Sequence, residues 1–275
     1  IGSAERASLL AELVYRHNPD IIFGCESKLN SSIPTPSVFP QGFTIYRKDR
    51  SHCGGGGLFI AVNASLPSHS VEDIAIDSTD ESLWVSVRTS LRKELYLCAF
   101  YKPPSAPSSR LDVLSQALLR VFNKHKKSHP NVVIAGDFNC SDINWKTSPP
   151  VITNPSTAAM MNTLLDFIED HALIQYVTDP TRPASLKTLD LVLSSAPPLV
   201  SNVSVHPGMS DHDIVNFCIN IKPRRPVKPS HKFYLFNRIN LEGLRSDMVK
   251  FESEFMFSPH TRSVEDNWTM LKEGI

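Results

Sequence analysis

No apolar run in this 275-residue chain is long enough to cross a bilayer, which takes about 20 consecutive apolar residues, so no membrane partner is expected. A secretory signal is also missing: IGSAERASLL turns polar at once and lacks a basic-then-apolar layout. The chain does not begin with Met, and Ile1 reads as a cut inside a longer polypeptide. There is no CxxC. The five cysteines (Cys25, Cys53, Cys98, Cys140 and Cys218) are odd in number and widely spaced, which points to reduced thiols with no disulfide partner rather than a disulfide framework or zinc site. Net charge is zero as well, but it is unevenly spread. From Lys222 onward stand ten basic and seven acidic residues, which leaves 18 of the 28 basic and 21 of the 28 acidic in the body. A slightly acidic body argues against unspecific coating of nucleic acid and suits a site that gathers carboxylates around a cation. Two nucleophile or phosphate motifs are incomplete. HCGGGGLFIAV has four glycines but no GxxxxGK[ST] and no following helix, so it reads as a turn or bulge. GMSDH lacks the last glycine of a G-x-S-x-G elbow, and no strand runs close enough before Ser210.

What is present is a succession of short strands with few helices. Ala4 to His17 repeats apolar residues at helical spacing, and Asn18-Pro19-Asp20 stops it. Ser109 to His125 and Thr157 to His171 are two further amphipathic helices. IIFGCES, FTIYR, LFIAV, LWVSVRT, LYLCAFY, NVVIAGDFN, LDLVLSS, VSNVSV and IVNFCINI read as strands. This mixture predicts an α/β sandwich, two sheets face to face with helices outside. At Lys222 the texture changes to KPRRPVKPSHK, basic and proline-rich. We therefore expect one domain over residues 1–221 and, over 222–275, a linker with a helical segment that has little core of its own.

The chemistry gathers where strands end. NVVIAGDFNC runs as a buried strand and then presents Asp137 and Asn139. HPGMSDHDIVNF sets out Ser210, Asp211 and His212 before another apolar run, and Glu26 and Asp190 stand at the ends of two more. An isolated pair of this kind is an ordinary turn, and Asp190 at the head of an apolar strand needs a partner to offset several kcal/mol of burial cost. Taken together, the oxygen ligands suit Mg²⁺, with Mn²⁺ as the alternative. A neighbouring Asp–His pair supplies an acid/base. Such a set suits hydrolysis of a phosphate ester. Asn144, Trp145 and Lys146 in NCSDINWKTSPP are candidates to touch substrate, Trp145 either by stacking on a base or by packing into the fold.

In order along residues 1–221, GCES, FYKPP, GDFN, TLDLVLS and SDH resemble the motifs of the endonuclease/exonuclease/phosphatase family, the DNase I-like fold. The resemblance implies a four-layered α/β sandwich of two mostly antiparallel sheets flanked by helices. It makes Glu26 and Asp211 metal ligands, Tyr101 a phosphate contact, Asp137 and Asn139 the residues that handle the nucleophile, Asp190 the orienting carboxylate of His212, and Ser210 a substrate contact. The family opens with a strand that this chain lacks. NPDIIFGCESKLN, GGGGLFIAV, YKPP and SDHDIV are more particularly similar to the nuclease of LINE-like non-LTR retrotransposons. That similarity implies a nuclear DNA endonuclease that nicks target DNA ahead of a reverse transcriptase domain in cis. Two alternatives remain open at this stage. One is another phosphoesterase of the same fold, a phosphatase or RNA nuclease; KTLDL stands where inositol phosphatases carry an Arg-rich stretch. The other is an inactive retroelement relic kept as a binding module.

Overall fold

The computed structural model describes residues 1, 3–49, 56–74, 81–89, 94–125, 129–222 and 240–274. Backbone contacts divide the chain into two compact units, Ile1–Pro226 and Val227–Ile275.

The first unit opens with helix α1 (Ala4–His17). Asn18 ends it in the left-handed region and donates its N–H to Val14 O at 2.8 Å, a cap that this residue type tolerates. Strands β1 (Ile21–Gly24), β2 (Phe43–Lys48) and β3 (Leu58–Asn63) form a sheet in the order β1-β3-β2. Next come β4 (Ser68–Ser70), β5 (Ser82–Arg88), β6 (Glu94–Tyr101), helix α2 (Ser109–Lys124) and β7 (Asn131–Asp137). A small hairpin, β8 (Ile143–Asn144) with β9 (Val151–Ile152), precedes helix α3 (Ala158–Asp170). The unit closes with β10 (Ile174–Gln175), β11 (Asp190–Ser194), β12 (Val200–His206) and β13 (Ile214–Ile219). The larger sheet has six strands in the order β10-β11-β7-β6-β5-β4, antiparallel except between β6 and β7. The β6–β7 pair is parallel because α2 crosses between them.

Alternation along the strands fixes the layers. On β6, Tyr96, Cys98 and Phe100 pack with Leu114, Leu118, Leu164 and Phe167 of α2 and α3, while Leu95, Leu97 and Ala99 pack with Leu58, Ile60 and Val62 of β3. On β3, the remaining Phe59 and Ala61 meet Leu10 of α1 and Phe39. The order across the unit is therefore helices, six-stranded sheet, second sheet layer, helix: the four-layered sandwich expected from the sequence. Both central strands bury two faces, which is why NVVIA reads as one continuous apolar run.

The second layer comes in two pieces, β1-β3-β2 and the β12–β13 hairpin. Phe23 of β1 and Phe217 of β13 stack with ring centroids 6.1 Å apart. Among the described residues, β1 and β13 each have a strand neighbour on one side only. Short strands β4, β8, β9 and β10 carry too few residues for a periodic signal, and the sequence pattern does not show them.

The second unit contains α4 (Leu241–Met256) and α5 (Val264–Gly274). Neither helix has a fully buried residue, and Leu241, Met248, Val249, Met256, Phe257 and Trp268 are exposed.

Candidate active site

Strand register brings three of the candidate side chains into one row. Tyr101 at the end of β6 stands opposite Asp137 at the end of β7, and Asp137 stands opposite Asp190 at the head of β11. Two residues back along each strand, Ala99, Ala135 and Val192 belong to the core between the sheets. By the same two-residue period, Tyr101, Asp137 and Asp190 face that side at its rim. Between Asp137 and Asn139, Phe138 turns the other way, fully buried with its ring centroid 4.9 Å from that of Phe100. GDFN thus holds its polar residues in place through an aromatic anchor, with Phe138 N–H donating to Leu189 O at 2.9 Å.

The opposite layer completes the site. Tyr101 donates its hydroxyl to Glu26 Oε1, which comes from the turn after β1. That turn is held by the glycine run: Ser27 N–H donates to Gly57 O at 3.1 Å and Lys28 N–H to Gly56 O at 2.9 Å. Gly57 has φ +87°, and a Cβ there would stand 2.6 Å from Ser27 Oγ. His212, from the loop before β13, shares a 2.8 Å hydrogen bond between its Nδ1 and Asp190 Oδ2. Asn139 donates its backbone N–H to Asp137 Oδ1 at 3.0 Å and its side-chain amide to Asp137 Oδ2 at 2.7 Å and to Lys102 O at 2.9 Å. Glu26 and Asn139 both lie in the left-handed region, φ 51° and 48°. Backbone strain of this kind, of order 1–3 kcal/mol each, is held by the surrounding structure and clusters at functional sites.

Ligand-capable atoms of Asp137, Asp190 and His212 lie within 4.8 Å of one another. With Glu26 and Asn139 beside them, the donor set is rich in carboxylate and amide oxygen, which fits a hard divalent cation.

The sequence family described as endonuclease-reverse transcriptase matches residues 95–216, a span that holds the whole Tyr101–Asp137–Asp190–His212 row. The endonuclease domain of TRAS1, a telomere-specific non-LTR retrotransposon, superposes with a TM-score of 0.58 at 17% identity, over 80% of this chain and 94% of that one. The chain has the DNase I-like fold. Its other structural relatives include the AP endonuclease LMAP from Leishmania major, with TM-score 0.62, 15% identity, and 78% and 82% coverage. They also include the 3′ phosphatase NExo from Neisseria, with TM-score 0.55, 15% identity, and 80% and 96% coverage. No curated protein matches in sequence.

Electrostatics at this site follow from the crowding of charge. Burial, reinforced by the Asp190 charge alongside, pushes the Asp137 carboxyl up to about 7, against the pull of His212 and the Asn139 hydrogen bonds. The hydrogen bond that His212 donates to the Asp190 carboxylate pushes the imidazole up to about 9. Burial pushes the Cys140 thiol up to about 11, so it is an inert thiol rather than a nucleophile. Among the described residues Cys25, Cys140 and Cys218 are free thiols, and Cys53 lies outside the described residues.

Other predicted residues sit around this row without joining it. Asp211 is exposed and pairs with Arg182 Nη2 at 2.8 Å. Ser210 Oγ accepts the His212 N–H at 3.2 Å, shaping the loop. Asn144 Oδ1 accepts the Lys146 N–H at 3.0 Å, and Lys146 Nζ lies 3.2 Å from Asp179 Oδ1, both exposed. Trp145 is packed into the helix-side core at 8% exposure.

Three residues that shape the site were not singled out from the sequence. Lys102 is completely buried, its Nζ has no partner among the described residues, and its N–H donates to Asp137 O at 2.9 Å. Thr181 is completely buried, and Arg182 follows it. The available signals were local: Lys102 between an active-site Tyr and two prolines, and Thr181-Arg182 between Pro180 and Pro183.

Proposed function

We propose that this chain is a divalent-cation-dependent DNA endonuclease that nicks target DNA for retrotransposon integration, in a larger protein that also carries a reverse transcriptase. The reading is carried by the row Tyr101–Asp137–Asp190 meeting His212 and Glu26 at the rim between two sheets. It is supported by the endonuclease–reverse transcriptase match and by the likeness to a retrotransposon endonuclease domain. Mg²⁺ is the expected cation, a nuclear location follows from the same reading, and the exposed Asn144, Lys146 and Ser210 are the proposed DNA contacts.

His212 Nδ1 is engaged by Asp190, which suits the ring to proton transfer. Glu26 and Asp137 would hold the cation. There it would neutralise charge building up on the phosphate. Asp190 accepts the Nδ1 proton of His212 and fixes the ring. The opposite nitrogen is then aimed to exchange a proton with the reacting oxygen. Asp137, held by Asn139, accepts a hydrogen bond from the attacking water and orients it. Both Asn139 amide hydrogens are held by Asp137 and Lys102. Tyr101 would therefore be the phosphate donor, its O–H turning from Glu26 to a non-bridging oxygen as the cation takes that carboxylate.

Supercoiled-plasmid nicking, with Mg²⁺ and with chelator, tests the assignment. The wild-type chain should nick with Mg²⁺ only, and Asp137→Ala should abolish nicking. Hydrolysis of a phosphomonoester or of RNA without any plasmid nicking would replace this reading with that of another phosphoesterase of the fold. A folded chain with no hydrolysis of any of them would make it a binding module.

A further inference from the structure

The Asp190–His212 contact joins two segments 22 residues apart in sequence, so something besides the contact itself must set their spacing. One residue touches both segments. Thr181 is wholly buried. Its Oγ1 accepts the N–H groups of Leu189 and Asp190, each at 3.0 Å. Its carbonyl accepts the N–H of Asp213, next to His212, at 2.7 Å, and its own N–H donates to Lys187 O at 3.0 Å. The Leu189 peptide is then gripped on its other side by Phe138 N–H, at 2.9 Å, which carries the linkage on to the Asp137–Asn139 turn. Arg182 adds an exposed tie to Asp211, a weaker one because both partners face solvent.

We propose that Thr181 is a positioning residue: resting on the active-site reading above, its hydroxyl and carbonyl set the separation of the Asp190 carboxylate from the His212 imidazole. A hydroxyl that accepts two main-chain N–H groups has no counterpart in an apolar side chain of the same shape. Partners behind a catalytic or ligating group that fix its orientation matter by about 10- to 100-fold.

Thr181→Val and Thr181→Ser in the full chain test this, with two readouts. In plasmid nicking, Thr181→Val should lower kcat at least ~10-fold with KM little changed, and Thr181→Ser should restore it. In proton NMR, the downfield Nδ1–H resonance of His212, assigned by its loss in His212→Ala, should shift or vanish in Thr181→Val and return in Thr181→Ser. A folded Thr181→Val with wild-type kcat and resonance overturns the proposal. So does a Thr181→Ser variant as impaired as Thr181→Val. Should Thr181→Val fail to fold, Thr181→Ala, which leaves room for water on the freed N–H groups, carries the same expectation. If the wild-type chain does not nick DNA, the nuclease reading fails, and the resonance alone decides the role of Thr181.

Discussion

Gly136 sits one residue before Asp137, facing Phe100 across the parallel pair of the large sheet and Leu191 across the antiparallel one. Its φ is 156°, and a Cβ built on it would lie 1.9 Å from the Phe100 carbonyl oxygen and 2.8 Å from the carbonyl carbon. Real Cβ atoms essentially never come closer than 3.0 Å to such an atom, so Gly136→Ala forces the two strands apart by about 1.1 Å (the difference of the two distances). The obstacle is main chain, so no rotamer change relieves it. Overpacking of this kind costs about 1–3 kcal/mol. At roughly 2–4 °C per kcal/mol for a domain of this size, the melting temperature should fall by about 2–12 °C. The same displacement separates Tyr101, and with it Glu26, from Asp137. A 1 Å misplacement costs about 10²-fold in rate, so the loss of nicking should exceed what partial unfolding explains. Thermal melts by circular dichroism and plasmid nicking well below the melting temperature separate the two effects. A Gly136→Ala chain that melts within 1 °C of wild type and nicks within twofold, each a margin of about one measurement error, would show that the strand pairing does not set this geometry.

Replacing His212 by Ala should cut the nicking rate by at least ~10²-fold, the low end for acid–base catalysis, with little change in melting; an unchanged rate would remove His212 from the chemistry. Asp137 and His212 both hold their proton more tightly folded than unfolded, raised from 3.8 to about 7 and from 6.5 to about 9. The folded chain therefore binds more protons than the unfolded one, and stability falls as pH rises. The Asp137 penalty grows from about pH 4 and is complete near 7, while the His212 contribution is intact below 6.5 and gone above about 9. Melting temperature against pH should slope downward through that range, and Mg²⁺, by favouring the ionised Asp137, should flatten the limb between 4 and 7; a slope unaltered by Mg²⁺ would place the cation elsewhere. Lys102→Met should raise the melting temperature by roughly 2 °C or more, because it removes a buried polar nitrogen that has no partner among the described residues; a fall would show that the nitrogen is satisfied.

The parts of this arrangement that sequence made readable are those governed by short periods. The runs LYLCAFY and NVVIAGD are apolar on both faces because they form the centre of the large sheet, and a two-residue period then places Tyr101 and Asp137 on one side. Contacts between segments far apart in sequence follow no such period. That Thr181 Oγ1 would serve two amides of the Asp190 strand, or that Arg182 would take Asp211, depends on how two loops fold back. Residue type gives no signal for Lys102: it stands before two prolines, and pairing of its N–H to Asp137 O draws it inside. Trp145 offered two uses, and only the loop's path shows its ring lying within the helix-side core.

The divided second layer has a consequence for handling the protein. Ile21–Gly24 and Ile214–Ile219 carry neither lysine nor proline, the residues by which exposed strand margins usually repel unwanted pairing. Among the described residues each therefore has unguarded main-chain hydrogen-bonding groups on one side, so concentrated preparations should be prone to self-association, and any extended segment that docks there should suppress it.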